Sequence, residues 1–339
     1  MTSSPRIAII GAGVVGLSAA YQLKESLPSA QVTIIANEFV FQTTSCGSGG
    51  LWEPYQIGNT SPENINRWSK ESLRHFLQLY HSIHANTCGV QQMTAYQLFR
   101  EDEEWEAPSW KDVAISYALL DPAQLGAMGL STEFTGGYAF GTVVVDQKMY
   151  LTWMMKQLET YVKFEQRHVS SLKDVICEYD CVLNCTGLGS GLLMDDPAVF
   201  PIRGQVLRVE APWIKSAYFF NVSGDSPSYL IPNIGSVVVG GTAQRGNAST
   251  TVSRKDTQRI IEGVSKLFPA LKHAKVLQEW VGLRPAREIV RLERDEGVKD
   301  KLLIHNYGHG GSGVTLAMGC AKEMVEMILI PNLKVASKL

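Results

Sequence analysis

The segment Gly11-Ala12-Gly13-Val14-Val15-Gly16 constrains the fold of this chain more than any other. It follows a β-branched run, Arg6 to Ile10, and opens a helical stretch reaching about Glu25; a second strand reads at Val32 to Ala36. Strand, glycine turn, helix and strand together make a βαβ unit. Glycines at this spacing permit a tight turn and close backbone approach, and the helix N-terminus then faces a pyrophosphate. The context, more than the spacing, points to a bound dinucleotide. The acidic residue expected at the end of the second strand is Asn37, followed by Glu38, and either side chain can accept from a ribose hydroxyl. No arginine or lysine stands near them in the sequence, which argues against the 2′-phosphate of NADP.

Three further clusters of glycine and small residues decide which dinucleotide. Thr43 to Gly50, with Thr44, Ser45 and Gly49, runs into Leu51. Thr186 to Gly191, beginning Thr186-Gly187, ends a buried strand. Gly308 to Gly313, with Gly310, Gly311 and Ser312, leads through Val314 and Thr315 into the closing helix. A flavin dinucleotide lies extended and needs backbone N–H groups along its length; turn glycines alone explain one such cluster comfortably and four poorly. The dipole of the closing helix also suits the negative charge of reduced flavin near its N1–C2=O edge. FAD is the expected cofactor, and a nicotinamide-dependent dehydrogenase on the same fingerprint is the rival.

The 339 residues are 45% hydrophobic and 19% charged, which gives two domains as the natural division. A formal net charge of −2 leaves no basic excess for a phosphate backbone, so nucleic acid is not an expected partner. No stretch has the run of roughly 18 apolar residues that spans a bilayer. The apolar Ile7 to Ala20 segment carries three glycines at fixed spacing, as a nucleotide-binding turn does and a signal peptide does not. The Asn-x-Ser/Thr sequences at Asn59, Asn221 and Asn247 are then chance matches. Cys177, Cys181 and Cys185 recur every four residues, but no CxxC pair or further ligand completes a zinc site. Reduced, buried cysteines and no metal are expected.

The α/β signals gather at the start, around 160–190 and at the end, with antiparallel alternation between. Helices read at about 64–84, from the Asp146 cap to about 161, at 255–268 and at 314–329. Strands read at 181–186, 201–245, 275–283 and 301–306, and residues 85–140 read as irregular with short strands. The expected fold is a discontinuous Rossmann-type FAD-binding domain (1–55, 141–200 and 284–339) interleaved with a largely antiparallel substrate-binding domain (56–140 and 201–283).

Five motifs in order across nearly the whole chain resemble the D-amino-acid oxidase family, which includes D-aspartate oxidase. They are Gly11–Gly16, Leu51-Trp52-Glu53-Pro54-Tyr55, Pro201-Ile202-Arg203-Gly204-Gln205, Val281-Gly282-Leu283-Arg284-Pro285-Ala286-Arg287 and His305-Asn306-Tyr307-Gly308-His309-Gly310-Gly311. The resemblance implies that Arg284 pairs bidentately with the substrate carboxylate, a role that suits a planar fork. Trp280, Val281 and Leu283 before it argue against an exposed ion pair. Tyr229 matches a second carboxylate contact, the Gly311 carbonyl an acceptor for the substrate amine, Thr315 a flavin O2 contact and Val169 a backbone contact to adenine. Hydride passes from the α-carbon to flavin N5 with no protein base, so His305 and His309 are read as structural. The products implied are an α-keto acid, ammonia and, through O₂, hydrogen peroxide.

Further expectations concern the substrate side chain, the location of the protein and its assembly. Glu53 and Tyr55 line the substrate pocket, with Glu53 in the place of a neutral amide, where it would repel an acidic substrate. Ala243 stands where D-aspartate oxidases carry a second arginine, and Asp225, four residues before Tyr229, where animal D-amino-acid oxidases have a lid tyrosine. A wide pocket preferring neutral, bulky or basic D-amino acids follows, against the alternative of a D-aspartate oxidase using Arg245 as second cation. The ending Ser337-Lys338-Leu339 is a peroxisomal address read by an import receptor, which suits a peroxide producer. The family also suggests a homodimer, which no single feature of the sequence shows.

Overall fold

The computed structural model describes residues 4–130, 133–221, 227–298 and 300–329. Asp225 and Ser337-Lys338-Leu339 therefore lie outside the described residues, as does part of the segment between Trp213 and Tyr229.

Among the described residues one 14-stranded sheet runs through the molecule. One end is parallel, in the order Val162–Gln166, Gln31–Phe39, Arg6–Ala12, Cys181–Asn184 and Leu302–His309. Strands buried on both faces read as continuous apolar runs. Ile7, Ala8, Ile9 and Ile10 are accordingly at most 3% exposed. The helix Val14–Ser26 covers this end together with the closing helix Gly313–Leu329, and the helix Pro62–Tyr80 packs on the latter. That last contact is close: a Cβ on Gly319 would sit 2.1 Å from the Trp68 carbonyl oxygen.

The other end is largely antiparallel. Val276–Arg294, Phe200–Val209, Ser236–Gly240, Pro227–Asn233 and Ala217–Asn221 succeed one another. Val90–Arg100 then joins in parallel and pairs with Phe134–Val145, which carries Ser116–Leu120 at the edge. The architecture is α/β, with a parallel half of the doubly wound kind and an antiparallel half continuous with it.

Three features differ from the sequence reading. Residues 85–140 hold the regular pairing of Val90–Arg100 with Phe134–Val145, whose Gly136, Gly137 and Gly141 look like turn residues in sequence. The strand expected to stop at 283 continues to Arg294 and pairs with both halves of the sheet. Boundaries at 140/141 and 283/284 thus fall inside strands. Cys181 and Cys185 are buried as expected, but Cys177, on the helix Leu172–Glu178, is exposed. No cluster of potential metal ligands occurs among the described residues, and no helix there is long and apolar enough to cross a membrane.

Candidate active site

The glycine turn opens one wall of a cavity of about 540 Å³ along the C-terminal edge of the parallel strands. Gly11 has φ of +108°, and a Cβ there would lie 2.4 Å from the Cys185 carbonyl oxygen, so only glycine lets the turn pass the neighbouring strand. Gly16 does not line the cavity. A Cβ on it would meet the Gly11 carbonyl at 2.0 Å, so it serves helix-to-strand packing. The helix Val14–Ser26 has no side-chain cap and no acid in its first turn; only the Val14 N–H is taken, by Ser45 Oγ at 3.0 Å. The remaining free N–H groups and the positive end of the helix suit a phosphate. Gly11, Gly13, Val14, Val15, Asn37, Glu38, Thr43, Thr44, Ser45, Val169, Thr186, Gly187, Gly310, Gly311, Gly313 and Val314 all line this cavity.

Sequence reasoning missed several walls of the same cavity. Arg167 lines it beside Asn37 because Val162–Gln166 pairs with Gln31–Phe39, although 130 residues separate them in sequence. Its guanidinium is held by Glu165 and Glu178, at 3.1 and 3.2 Å. Asn306 and His309 also line it, 1% and 2% exposed, and Asn306 Oδ1 and Nδ2 and His309 Nε2 have no partner in the protein. Buried polar atoms without partners are uncommon, and here they face a cavity built for a polar ligand. Burial pushes the His309 imidazole down to about 4, so it is neutral. His305 is structural, between Asn184 at 3.3 Å and Asp295 at 3.1 Å.

A second cavity of about 290 Å³ meets the first, sharing Thr44, Ser48, Arg284, Gly311 and Val314. Strand periodicity builds its floor: Trp280, Gly282 and Arg284 project to one face, as do Gly204, Val206, Tyr229 and Ile231 on neighbouring strands. Gly204 pairs directly with Gly282, and together they clear the space that Arg284 and Trp280 occupy. Arg284 Nη1 donates to the Thr242 carbonyl at 3.1 Å, and the guanidinium lies close enough to the Tyr229 hydroxyl to influence it. Burial raises the Tyr229 phenol while Arg284 lowers it. Gly49, Gly50 and Leu51, expected along the cofactor, line this cavity and not the first, beside Glu53 and Tyr55. Burial pushes the Tyr55 phenol up to about 12 and the Glu53 carboxyl up to about 8.

Besides Gly16, four expected residues stand elsewhere. Ser312 and Thr315 line neither cavity; they hold the Leu51–Tyr55 segment instead. Ser312 Oγ accepts from Tyr55 N at 2.6 Å and donates to Tyr55 O at 2.8 Å. Thr315 Oγ1 accepts from Glu53 N at 3.2 Å and donates to Glu53 O at 2.9 Å. Ala243 is half-buried and lines neither cavity, because the strand Ser236–Gly240 ends before it. The strand does not continue, so Arg245 does not share its inner face. Gln244 and Arg245 pair with Arg203 and Ile202, and the exposed Arg245 side chain bonds Glu288 and lies 3.9 Å over the Phe200 ring.

A deep nucleotide cavity opening into a smaller one with a single arginine defines an oxidoreductase that holds its cofactor extended. Residues 6–327 match the FAD dependent oxidoreductase (DAO) family model. The chain is 32% identical to the D-aspartate oxidase of Homo sapiens over 95% of this chain and 94% of that one. It is 34% identical to the D-amino-acid oxidase of Rubrobacter xylanophilus, over 94% of each. Glycine oxidase from Bacillus cereus shares the fold, with a TM-score of 0.76 and 21% identity over 96% of this chain and 95% of that one. The chain belongs to this FAD-dependent oxidoreductase family. FAD, not a nicotinamide, is its cofactor, and the free N–H groups, Asn306 and His309 fit it.

Proposed function

We propose that the protein oxidatively deaminates D-amino acids, releasing an α-keto acid and ammonia after hydrolysis of the imino acid and reducing O₂ to hydrogen peroxide. The observation that carries this reading is the Arg284–Tyr229 pair at the junction of the two cavities. Among the described residues lining the inner cavity the only cation is this planar fork, the group that best holds a carboxylate by two parallel bonds. Its curated relatives named as D-aspartate and D-amino-acid oxidases support the substrate class. FAD, held along the first cavity, would supply the hydride acceptor and the route for electrons to O₂. The chain's own contribution is positioning. Arg284 and Tyr229 fix the carboxylate, the Gly311 carbonyl accepts from the amine, and the α-hydrogen of the D-enantiomer faces the cofactor cavity.

The same reading favours neutral or basic side chains over D-aspartate. Glu53 lines the inner cavity, and Arg245, the second cation that an acidic side chain would need, is outside it and paired with Glu288. Peroxisomal import through Ser337-Lys338-Leu339 and homodimer formation belong to the same proposal. A peroxide-coupled assay over D- and L-amino acids tests the central claim. Oxidation of D-alanine or D-methionine but not their L-enantiomers supports it, and D-aspartate as the best substrate would overturn the side-chain preference.

A further inference from the structure

We propose that Glu53 is a side-chain selector, and that the cavity is built for D-amino acids whose side chain ends in a cation. Arg284 holds the carboxylate and Glu53 the distal charge. The proposal rests on the D-amino-acid oxidase reading and narrows its substrate class.

Among the described residues lining the inner cavity, Arg284 is the one cation and Glu53 the one acid. Much of the rest is apolar, with Leu51, Phe219, Phe220, Ile231 and Trp280 prominent. An acid set among such walls without a partner is costly, so a chain that keeps one there has a use for it. Thr315 fixes the Glu53 backbone through both its N–H and its carbonyl, and Glu53 lines the cavity. No described residue donates a hydrogen bond to that carboxyl. Arg284 and Glu53 line the same cavity yet form no ion pair with each other, so their charged ends stand apart, with Tyr55 lining the cavity beside them. A ligand that satisfies both carries a carboxylate at one end and a cation at the other.

The α-amine is not that cation. Loss of the α-hydrogen as hydride needs a neutral amine, and a carboxylate against it would hold it protonated. An aliphatic chain ending in an ammonium or guanidinium group, as in D-lysine, D-ornithine or D-arginine, matches the apolar walls along its length and the acid at its end.

The selector should depend on pH. The titratable groups around Glu53 are Tyr55 on its own segment and Tyr138 on Phe134–Val145, both raised by burial and neutral at working pH, with Arg284 and Tyr229 beyond Tyr55. With the carboxyl near 8 in the empty cavity, a cationic ligand must displace its proton at lower pH. Preference for a cationic over a neutral side chain therefore rises by up to about tenfold per pH unit until about pH 8, then levels off. A lysine side chain, of ordinary pKa about 10.4, stays charged across that range.

The test uses the FAD-loaded enzyme with D-lysine and D-norleucine, which share chain length and differ in the terminal charge. The readout is the ratio of their kcat/KM from pH 6.5 to 9, in which effects common to both substrates cancel. The native ratio should rise to pH 8 and exceed that of Glu53→Gln at least tenfold at pH 8.5, with no rise in the variant. Glu53→Asp, which keeps the charge, should keep the rise. A native ratio flat with pH, or equal to that of Glu53→Gln, overturns the selector while D-alanine turnover leaves the oxidase reading standing. A yellow enzyme that oxidises no D-amino acid overturns both.

Discussion

Gly204→Ala tests the placement of the carboxylate clamp without touching the clamp itself. Gly204 lies in the strand Phe200–Val209 opposite Gly282, and its side-chain position points at the guanidinium of Arg284. A Cβ there would be 2.4 Å from Arg284 Nη1 and 2.7 Å from Cζ and Nη2. Ordinary contact needs about 3.5 Å, so the guanidinium must move by about 1 Å. The obstacle is the end of a flexible side chain, so the fold should survive with little change in melting temperature. A displacement of about 1 Å in a positioning group costs on the order of 10²-fold in rate, about 2.7 kcal/mol. Arg284→Ala sets the floor, because truncating one partner of a desolvated charge pair costs about 2–5 kcal/mol, from about 30-fold to several thousand-fold. The assay is kcat/KM for D-alanine at saturating FAD, with flavin content read by absorbance and folding by thermal melt. A folded, flavin-loaded Gly204→Ala enzyme within threefold of native kcat/KM would refute the claim that Arg284, as placed, binds the carboxylate.

Gly13→Val should fold yet remain colourless. In the protein a Cβ at Gly13 meets only Ser45 Oγ, at 3.1 Å, so the added side chain occupies the cofactor's space; a stoichiometrically yellow variant would contradict this. Asn306→Leu should weaken FAD about tenfold by removing amide contacts worth about 1.4 kcal/mol, while leaving the apoprotein no less stable, since it removes polar atoms unpartnered in the protein. Flavin titration and an apoprotein melt check both, and unchanged FAD affinity would assign Asn306 elsewhere. Deleting Ser337 to Leu339 should leave activity intact and shift the protein from peroxisomes to cytosol; a truncated form that stays peroxisomal counts against the address.

The nucleotide half was legible because its signals are local. The turn at Gly11–Gly16 sits between a strand and a helix only a few residues away, and Asp146 caps its helix through Lys148 and Met149 N–H as the sequence implies. The full length of the strand Val276–Arg294 was not, because Pro285 falls just past the stretch read as a strand and a proline has no N–H to give to a ladder. In the fold Pro285 stands opposite Pro201 and Gly282 opposite Gly204, where their lack of bulk or donor is accommodated. The misplacements of Ala243 and Arg245 share one cause, the chain leaving the inner sheet face after Gly240. Ser312 and Thr315 sit in a cofactor-like motif, yet their hydroxyls are spent on the Leu51–Tyr55 backbone over 250 residues away, which no local pattern reveals. Asn306, His309 and Arg167 became cofactor-cavity walls only once the parallel strands were aligned.

The most direct measurement of the central claim is anaerobic addition of D-alanine to the purified yellow protein, followed by admission of oxygen. The account predicts bleaching of the flavin absorbance with D-alanine and not with L-alanine, then recovery of colour on aeration with one hydrogen peroxide formed per flavin reoxidised. A flavin that stays oxidised with every D-amino acid supplied, or that bleaches equally with the L-enantiomers, would contradict it.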